Sequence, residues 1–291
     1  MQFKELGRTG LKVSELGIGT EHLFGQTQAI VDSVIVSAIE NKINYFDILF
    51  SVQHYLKKLA FSLKNYRDDL IIAGHLGTIE IEGRPKKNRN LQECEKAFLR
   101  ILSILGTEYV DILNIQFVGK NELDKIMKPK GLLDMAKSFQ DEGKAKHLGL
   151  STHDITVAKR AIKSGSFDMI MFPINIVNHG LPGRTELLEE CLKNKVGLVA
   201  IKPFAAGRIL MQNKTVSIAK YQTGGLSLKQ KIPKEITPCK CISYIKSLQG
   251  VSLILMGVKN VEELNENVSY YEKPQEELDY APIIEIFRSE A

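Results

Sequence analysis

No tryptophan occurs in the 291 residues, and there are only four cysteines and nine prolines. Of the cysteines (Cys94, Cys191, Cys239, Cys241) only the last two are neighbours, and a lone C-x-C lacks the second half of a zinc or cluster ligand set. No His, Cys or carboxylate group shows ligand spacing, so no metal is expected. Scattered thiols suit a reducing, cytoplasmic setting. Charge of one sign is also lacking: 39 basic residues against 34 acidic leave a net +5 spread along the chain. The densest basic run, Arg84 to Arg89 (RPKKNR), is short, has no interleaved aromatics and reads as a solvated loop, so no nucleic-acid partner is expected. No stretch approaches the roughly 18 apolar residues of a membrane span. The opening MQFKELGRTG has no apolar run of the kind a signal peptide needs.

Short apolar, β-branched runs instead alternate with amphipathic stretches from one end to the other. The strand candidates are 15–20, 43–47, 69–74, 109–115, 146–151, 168–172, 197–202 and 252–257, each the near-continuous apolar run of a parallel strand covered on both faces. Helical stripes lie between them: Ile30, Val34, Ala38 and Ile39 in 28–41; Leu91, Cys94, Phe98, Ile101 and Leu105 in 90–105; Val261, Leu264 and Val268 in 261–270. Eight strands alternating with helices predict an α/β fold of the (β/α)8 TIM-barrel type, one domain over residues 1–291. The runner-up, an open doubly wound sheet, usually carries a Gly-rich turn after its first strand, and here Thr20-Glu21-His22 follows instead. The stretch 211–236 reads as an inserted irregular loop with Gly224-Gly225 in it, and 275–291 as one extra C-terminal helix.

Barrel chemistry sits at the C-terminal ends of the strands. The polar residues there are Thr20, Glu21, Asp47, His75, Asn114, Gln116, Ser151, Thr152, His153, Asn175, Lys202, Lys259 and Asn260. Asp47 ends an otherwise apolar run, where an unpaired carboxylate is costly; capping the next helix is its structural alternative. His75 follows IIAG, where packing gives a histidine no reason to be. Lys202 at a strand exit reads as an anion contact. Gly257-Val258-Lys259-Asn260 combines a glycine turn, a lysine and a helix start, the parts of a phosphate cradle. His153 reads as part of the cap of the next helix beside Asp154, and His179 as either structural or lining the substrate mouth.

Taken together, these segments resemble the aldo-keto reductase family over essentially the whole chain. LGRTGLKVSELGIGT (6–20) is similar to the family's start, a hairpin cap leading into strand one. INYFD (43–47) is similar to the segment ending in the catalytic Asp, GKAKHLGLST (143–152) to the nicotinamide-side segment, and GVKNVEELNENV (257–268) to the adenosine-phosphate segment. IKPFAAGR (201–208) and STH (151–153) resemble the branch that carries an iron–sulfur module after the barrel. The chain stops soon after LDYAPII (278–284) and has no four-cysteine run, so no cluster is expected.

The resemblance implies NADPH as cofactor. Ser151 and Asn175 would face the nicotinamide, Lys202, Phe204 and Gly207 the ribose and pyrophosphate, Gly257, Lys259 and Asn260 the 2′-phosphate region, and Glu263 and Asn267 the adenine. The family's carboxamide-binding Gln falls at Met171.

The implied catalytic tetrad of Asp, Tyr, Lys and His keeps only Asp47. Val52 stands for the tyrosine, His75 for the lysine and Gln116 for the histidine. Three readings follow. The first is a carbonyl oxidoreductase with a rebuilt acid, in which Tyr55 or His54 reaches back toward His75 and Asp47. The second is a catalytically silent NADPH sensor or partner protein. The third is a non-redox or internal-redox enzyme, eliminating or epimerising with His75 as base. A small-molecule substrate is expected in the enzymatic cases. On the cofactor assignment, Lys259→Ala weakens NADPH more than NADH, by about 1–3 kcal/mol for a charge-assisted contact. Fluorescence titration with both nucleotides measures it, and equal weakening contradicts the 2′-phosphate role.

Overall fold

The computed structural model describes residues 1–218 and 228–288. The chain opens with an antiparallel hairpin, β1 (Phe3–Glu5) and β2 (Lys12–Ser14). The strands β3 (Leu16–Gly19), β4 (Tyr45–Asp47) and β5 (Ile71–Leu76) follow. A second hairpin, β6 (Thr78–Ile81) and β7 (Arg84–Lys87), precedes β8 (Val110–Ile115), β9 (Ala145–Ser151), β10 (Met169–Pro173) and β11 (Gly197–Ile201). A third hairpin, β12 (Thr215–Ile218) and β13 (Leu228–Lys231), precedes β14 (Val251–Gly257). The strands β3-β4-β5-β8-β9-β10-β11-β14 pair in parallel and close into a barrel, all on the runs expected from the sequence. Around it lie the helices α1 (Gln28–Glu40), α2 (Gln53–Leu63), α3 (Leu91–Leu105), α4 (Leu123–Met127), α5 (Leu132–Asp141), α6 (Ile155–Lys163), α7 (Arg184–Lys193), α8 (Pro238–Lys246), α9 (Val261–Val268), α10 (Gln275–Leu278) and α11 (Ala281–Arg288). None is long and apolar enough to cross a membrane among the described residues.

Alternate side chains of a strand point to opposite faces. Outward residues such as Leu16, Ile18, Phe46, Ile72 and Leu113 pack under the helices with Val34, Leu59 and Phe98. Inward residues, among them Tyr45, Ile71, Ala73, Ile112, Met169, Val199 and Leu253, fill the barrel. Fully burying each large apolar side chain contributes roughly 1.5–3 kcal/mol. The first hairpin caps the N-terminal end: Leu6 and Val13 join the interior cluster, and Arg8 donates to Asp168 at 2.9 Å and to the Gly165 and Phe167 carbonyls. The same period of two carries the interior face up to Asp47, His75, Asn114, Gln116 and Ser151, so the strand ends form a polar upper layer.

Three expectations are corrected. The basic run 84–89 is not a loop: Arg84–Lys87 pairs with β6 across a turn in which Glu82 (φ 50) and Gly83 (φ 73) are both left-handed. The stretch 211–236 carries the hairpin β12–β13, although Gly224-Gly225 lie outside the described residues. The tail holds two helices, because the chain is extended at Asp279 after α10 and restarts at Ala281-Pro282; residues 289–291 lie outside the described residues.

Gly7 is left-handed (φ +56), and a Cβ there would lie 2.2 Å from the Gly197 amide nitrogen, whereas Gly10 (φ +73) faces open space. Gly7→Ala should therefore cost more than the about 1–2 kcal/mol expected of Gly10→Ala from backbone conformation alone. Denaturant unfolding of both variants checks this, and equal losses would mean that the cap does not seat on β11.

Candidate active site at the barrel mouth

Asp47 ends β4 and His75 is the last residue but one of neighbouring β5, and both are 2% exposed. Asp47 Oδ1 lies 2.7 Å from His75 Nε2. The imidazole is thus the partner that a buried carboxylate requires. With Nε2 committed, Nδ1 remains, and it has no hydrogen-bond partner. His75 is in register with Asn114 of β8, and Asn114 with Gly149 of β9. A Cβ on Gly149 would lie 2.0 Å from Asn114 Oδ1, so that glycine makes room for the amide. Asn114 and Gln116 are fully buried, and neither the oxygen nor the nitrogen of either amide is hydrogen-bonded. Each such unmet group costs about 1–3 kcal/mol.

A cavity of about 240 Å³ opens at this end of the barrel. β3, β4, β8 and their loops contribute Glu21, His22, Asp47, Leu49 and Phe117; β9, β10, β11 and β14 with their loops contribute Ser151, His153, Met171, Lys202, Phe204, Gly207 and Gly257. Gly257 is left bare by necessity, since a Cβ there would sit 2.2 Å from the His22 ring. The loop after β11 is strained: Lys202, Ala205 and Ala206 have φ of 54, 50 and 57, followed by Gly207 at 79. Such outliers cost about 1–3 kcal/mol each and cluster at ligand sites. Burial lowers the pKa of Lys202, with Glu21 opposing the shift.

A second strained residue, Phe117 (φ 54), is held from outside. Its carbonyl accepts from Lys87 Nζ at 2.8 Å and Arg89 Nη2 at 3.2 Å, and Arg89 Nη2 also donates to the Gln116 carbonyl at 2.8 Å. Both cations pair with Glu122. Burial works against that carboxylate, but hydrogen bonds from Lys87, the Gly119 amide and Arg89 hold it down to about 2. The basic run therefore clamps the mouth.

Several candidate residues stand elsewhere than expected. Tyr55 is buried beneath the site: its hydroxyl bonds Thr20 Oγ1, which donates to the Asp47 carbonyl at 2.5 Å, and its ring packs on Phe24 and Phe50. Burial raises its pKa far above the ordinary value. His54 is exposed, edge-on to Phe24. Neither lines the cavity, and Val52, expected to stand at the tyrosine's place, is wholly buried. Asn175 is also away from the cavity lining; its Nδ2 donates to the Lys202 carbonyl at 3.1 Å and its Oδ1 accepts from the Asn178 amide, so it braces the Lys202 loop. Asp154 caps α6 through the Thr156 and Val157 amides, and His153 lines the cavity. His179 Nδ1 lies 2.8 Å from the Tyr244 hydroxyl and is absent from the lining. At α9, Asn260 Oδ1 caps the Glu263 amide, Glu263 Oε2 accepts from the Lys259 amide, the Lys259 side chain is exposed and Asn267 is buried. His22, Leu49 and Phe117 were not singled out from the sequence, because they sit two or three residues past strand ends where only the loop's path decides what points inward. Among the described residues no three His, Cys, Asp or Glu side chains are grouped for a metal.

The profile of the Aldo/keto reductase family matches residues 15–286. L-Galactose dehydrogenase of Arabidopsis thaliana is 24% identical, covering 92% of this chain and 88% of its own. L-Glyceraldehyde 3-phosphate reductase of Escherichia coli (strain K12) is 22% identical over 92% and 87%. Among solved structures, an aldo-keto reductase from Bacillus halodurans in its holo form shares the fold with a TM-score of 0.77 at 19% identity, over 98% of this chain and 96% of that one.

Burial, and then the charge of Lys202, pull His153 from 6.5 down to about 4. Between those values the unfolded chain binds a proton that the folded chain refuses, so this residue's contribution to stability falls as pH drops from about 6.5 to 4. His153→Gln should flatten the acid limb of a stability–pH curve across that window. An unchanged limb would mean that His153 is not held neutral at the mouth.

Proposed function

The chain belongs to the aldo/keto reductase family, and from that membership we propose that it is an NADPH-dependent oxidoreductase of a small carbonyl compound, with Asp47 and His75 replacing the usual proton-transfer group. In this reading residues 1–291 work as one unit in the cytoplasm. The observation that carries it is the 2.7 Å contact between Asp47 and His75 at a cavity whose other wall is Ser151, Lys202, Phe204, Gly207 and Gly257.

That wall fits a dinucleotide. Left-handed Lys202, Ala205, Ala206 and Gly207 shape the loop, a Cβ on Gly207 would face open space, which leaves room for close approach, and Lys202 supplies a cation. Exposed Lys259 at the amino end of α9 suits a 2′-phosphate. Asn260, already capping that helix, shapes the turn, and Glu263 and Asn267 flank the place for adenine. Bound there, NADPH supplies the hydride. The protein supplies the proton. Asp47 is the member of the pair that lines the cavity, so a proton held between Nε2 and Oδ1 reaches a substrate oxygen by way of its carboxyl, and His75 Nδ1 takes up the replacement. Gln116, just past the end of β8 and outside the cavity lining, keeps an uncommitted amide in the same polar layer.

A second reading has its own support: no tyrosine lines the cavity among the described residues, and Tyr55 is locked onto Thr20. His75 would then serve as base in an elimination or epimerisation without net oxidation of nucleotide. Following 340 nm absorbance with aldehydes, ketones and quinones separates the two. Turnover is expected, and Asp47→Asn should lower kcat/KM by about 10²-fold or more while NADPH binding holds. NADPH binding with no oxidation across the panel would sink the redox reading. Conversion without net oxidation would then establish the second reading, and no conversion of any kind would leave a silent binder.

A further inference from the structure

A second cavity, of about 430 Å³, opens outside the barrel between the start of α3 and the loop joining α4 to α5. It shares no lining residue with the cavity at the barrel mouth. Its floor is apolar: Ile126 and Leu132 are buried, and Leu91, the first residue of α3, is half-buried. Its rim is basic, with Lys125, Lys128 and Lys130 exposed on it. The nearby carboxylates are engaged elsewhere. Glu122 pairs with Lys87 and Arg89, Asp124 pairs with Arg160, and Asp134 accepts from the Lys130 main-chain amide at 2.7 Å. Glu95, Asp134 and Glu142 lie along the adjoining groove between α3 and α5, outside this lining.

The loop is folded so as to bring the three lysines to one rim. Pro129 disfavours helix at the residue before it, and Lys128 accordingly ends α4 in extended backbone (φ −65, ψ 155). Lys130 is left-handed (φ 60), and strain of that kind collects at ligand sites. A Cβ on Gly131 would lie 2.6 Å from the Ile126 carbonyl oxygen, so the chain turns directly back onto α4.

We propose that this cavity binds an organic polyphosphate of the nucleoside di- or triphosphate kind, its phosphates on Lys125, Lys128 and Lys130 and its base on Leu91, Ile126 and Leu132. The charges select the phosphates. A single carboxylate gains little from exposed lysines, whereas a chain of phosphates collects several at once and meets the positive end of α3. The floor selects the organic part, since a flat base removes those three side chains from water and a bare phosphate chain does not. The volume falls in the range of about 300–1,000 Å³ usual for small-molecule sites. None of this depends on what reacts at the barrel mouth.

Isothermal titration with ATP, tripolyphosphate and adenosine tests the assignment. The proteins are wild type, Lys125→Ser/Lys128→Ser/Lys130→Ser, and Lys12→Ser/Lys57→Ser/Lys193→Ser, which removes equal charge from exposed positions elsewhere. ATP should bind wild type more tightly than tripolyphosphate or adenosine. The first variant should weaken ATP by about tenfold or more, and the second by less than about twofold. Amide NMR of the wild type locates the ligand without any substitution: Leu91 and residues 125–132 should shift with ATP. Absence of ATP binding overturns the proposal. So does equal weakening in both variants, which would mean diffuse attraction to a basic surface. Tripolyphosphate binding as tightly as ATP overturns it as well, because the floor would then be unused. Shifts confined to the barrel mouth, around Lys202 and Gly257, would place ATP there and remove this site.

Discussion

A parallel strand closed into a barrel must send every second side chain into a lumen that has no exit except its two ends. That constraint orders the rest of the molecule. It makes Tyr45, Ile71, Ile112 and Leu253 a packed interior, and by the same count it forces Asp47, His75, Asn114, Gln116 and Ser151 to face inward one step higher. Polar side chains placed there cannot turn to solvent, so they must meet one another or a ligand. Asp47 and His75 meet one another. The amides do not, and this difference divides the layer into a bonded pair and two uncommitted amides.

The loops take their positions from contacts made outside the barrel. Phe117 owes its backbone to Lys87 and Arg89, and Lys202 owes part of its setting to Asn175 and Asn178. A catalytic end built this way can change its side chains without disturbing the strands, since function lives in the site and not in the fold. On the proposed reading, an exchange of tyrosine, lysine and histidine for Val52, His75 and Gln116 would be of that kind. Val52 is absorbed into the wall between β4 and α2, while His75 bonds Asp47.

The barrel was legible in the sequence because its signal is periodic and repeated eight times. The cavity-facing places of Asp47 and Ser151 were legible for a related reason: each closes an apolar run, and the geometry of a strand fixes which way its last residue points. Tyr55 was misread because helical spacing gives a face but not a bond, and its hydroxyl found Thr20. The hairpin β6–β7 escaped notice because Arg84, Lys86 and Lys87 give it no apolar face to betray a strand. His22, Leu49 and Phe117 lay beyond reach because the path of a loop is set by residues distant in the chain.

The cap at the opposite end has a consequence for the order in which the chain acquires its shape. Arg8 and its partner Asp168 are separated by 160 positions, and the seat for Gly7 is Gly197. During synthesis the first hairpin therefore leaves the ribosome long before its docking surface exists. Leu6 and Val13 must wait, exposed, while six strands assemble. The base of the barrel therefore cannot close until β11 has been added, and the hairpin takes its final seat only once the strand it rests on exists.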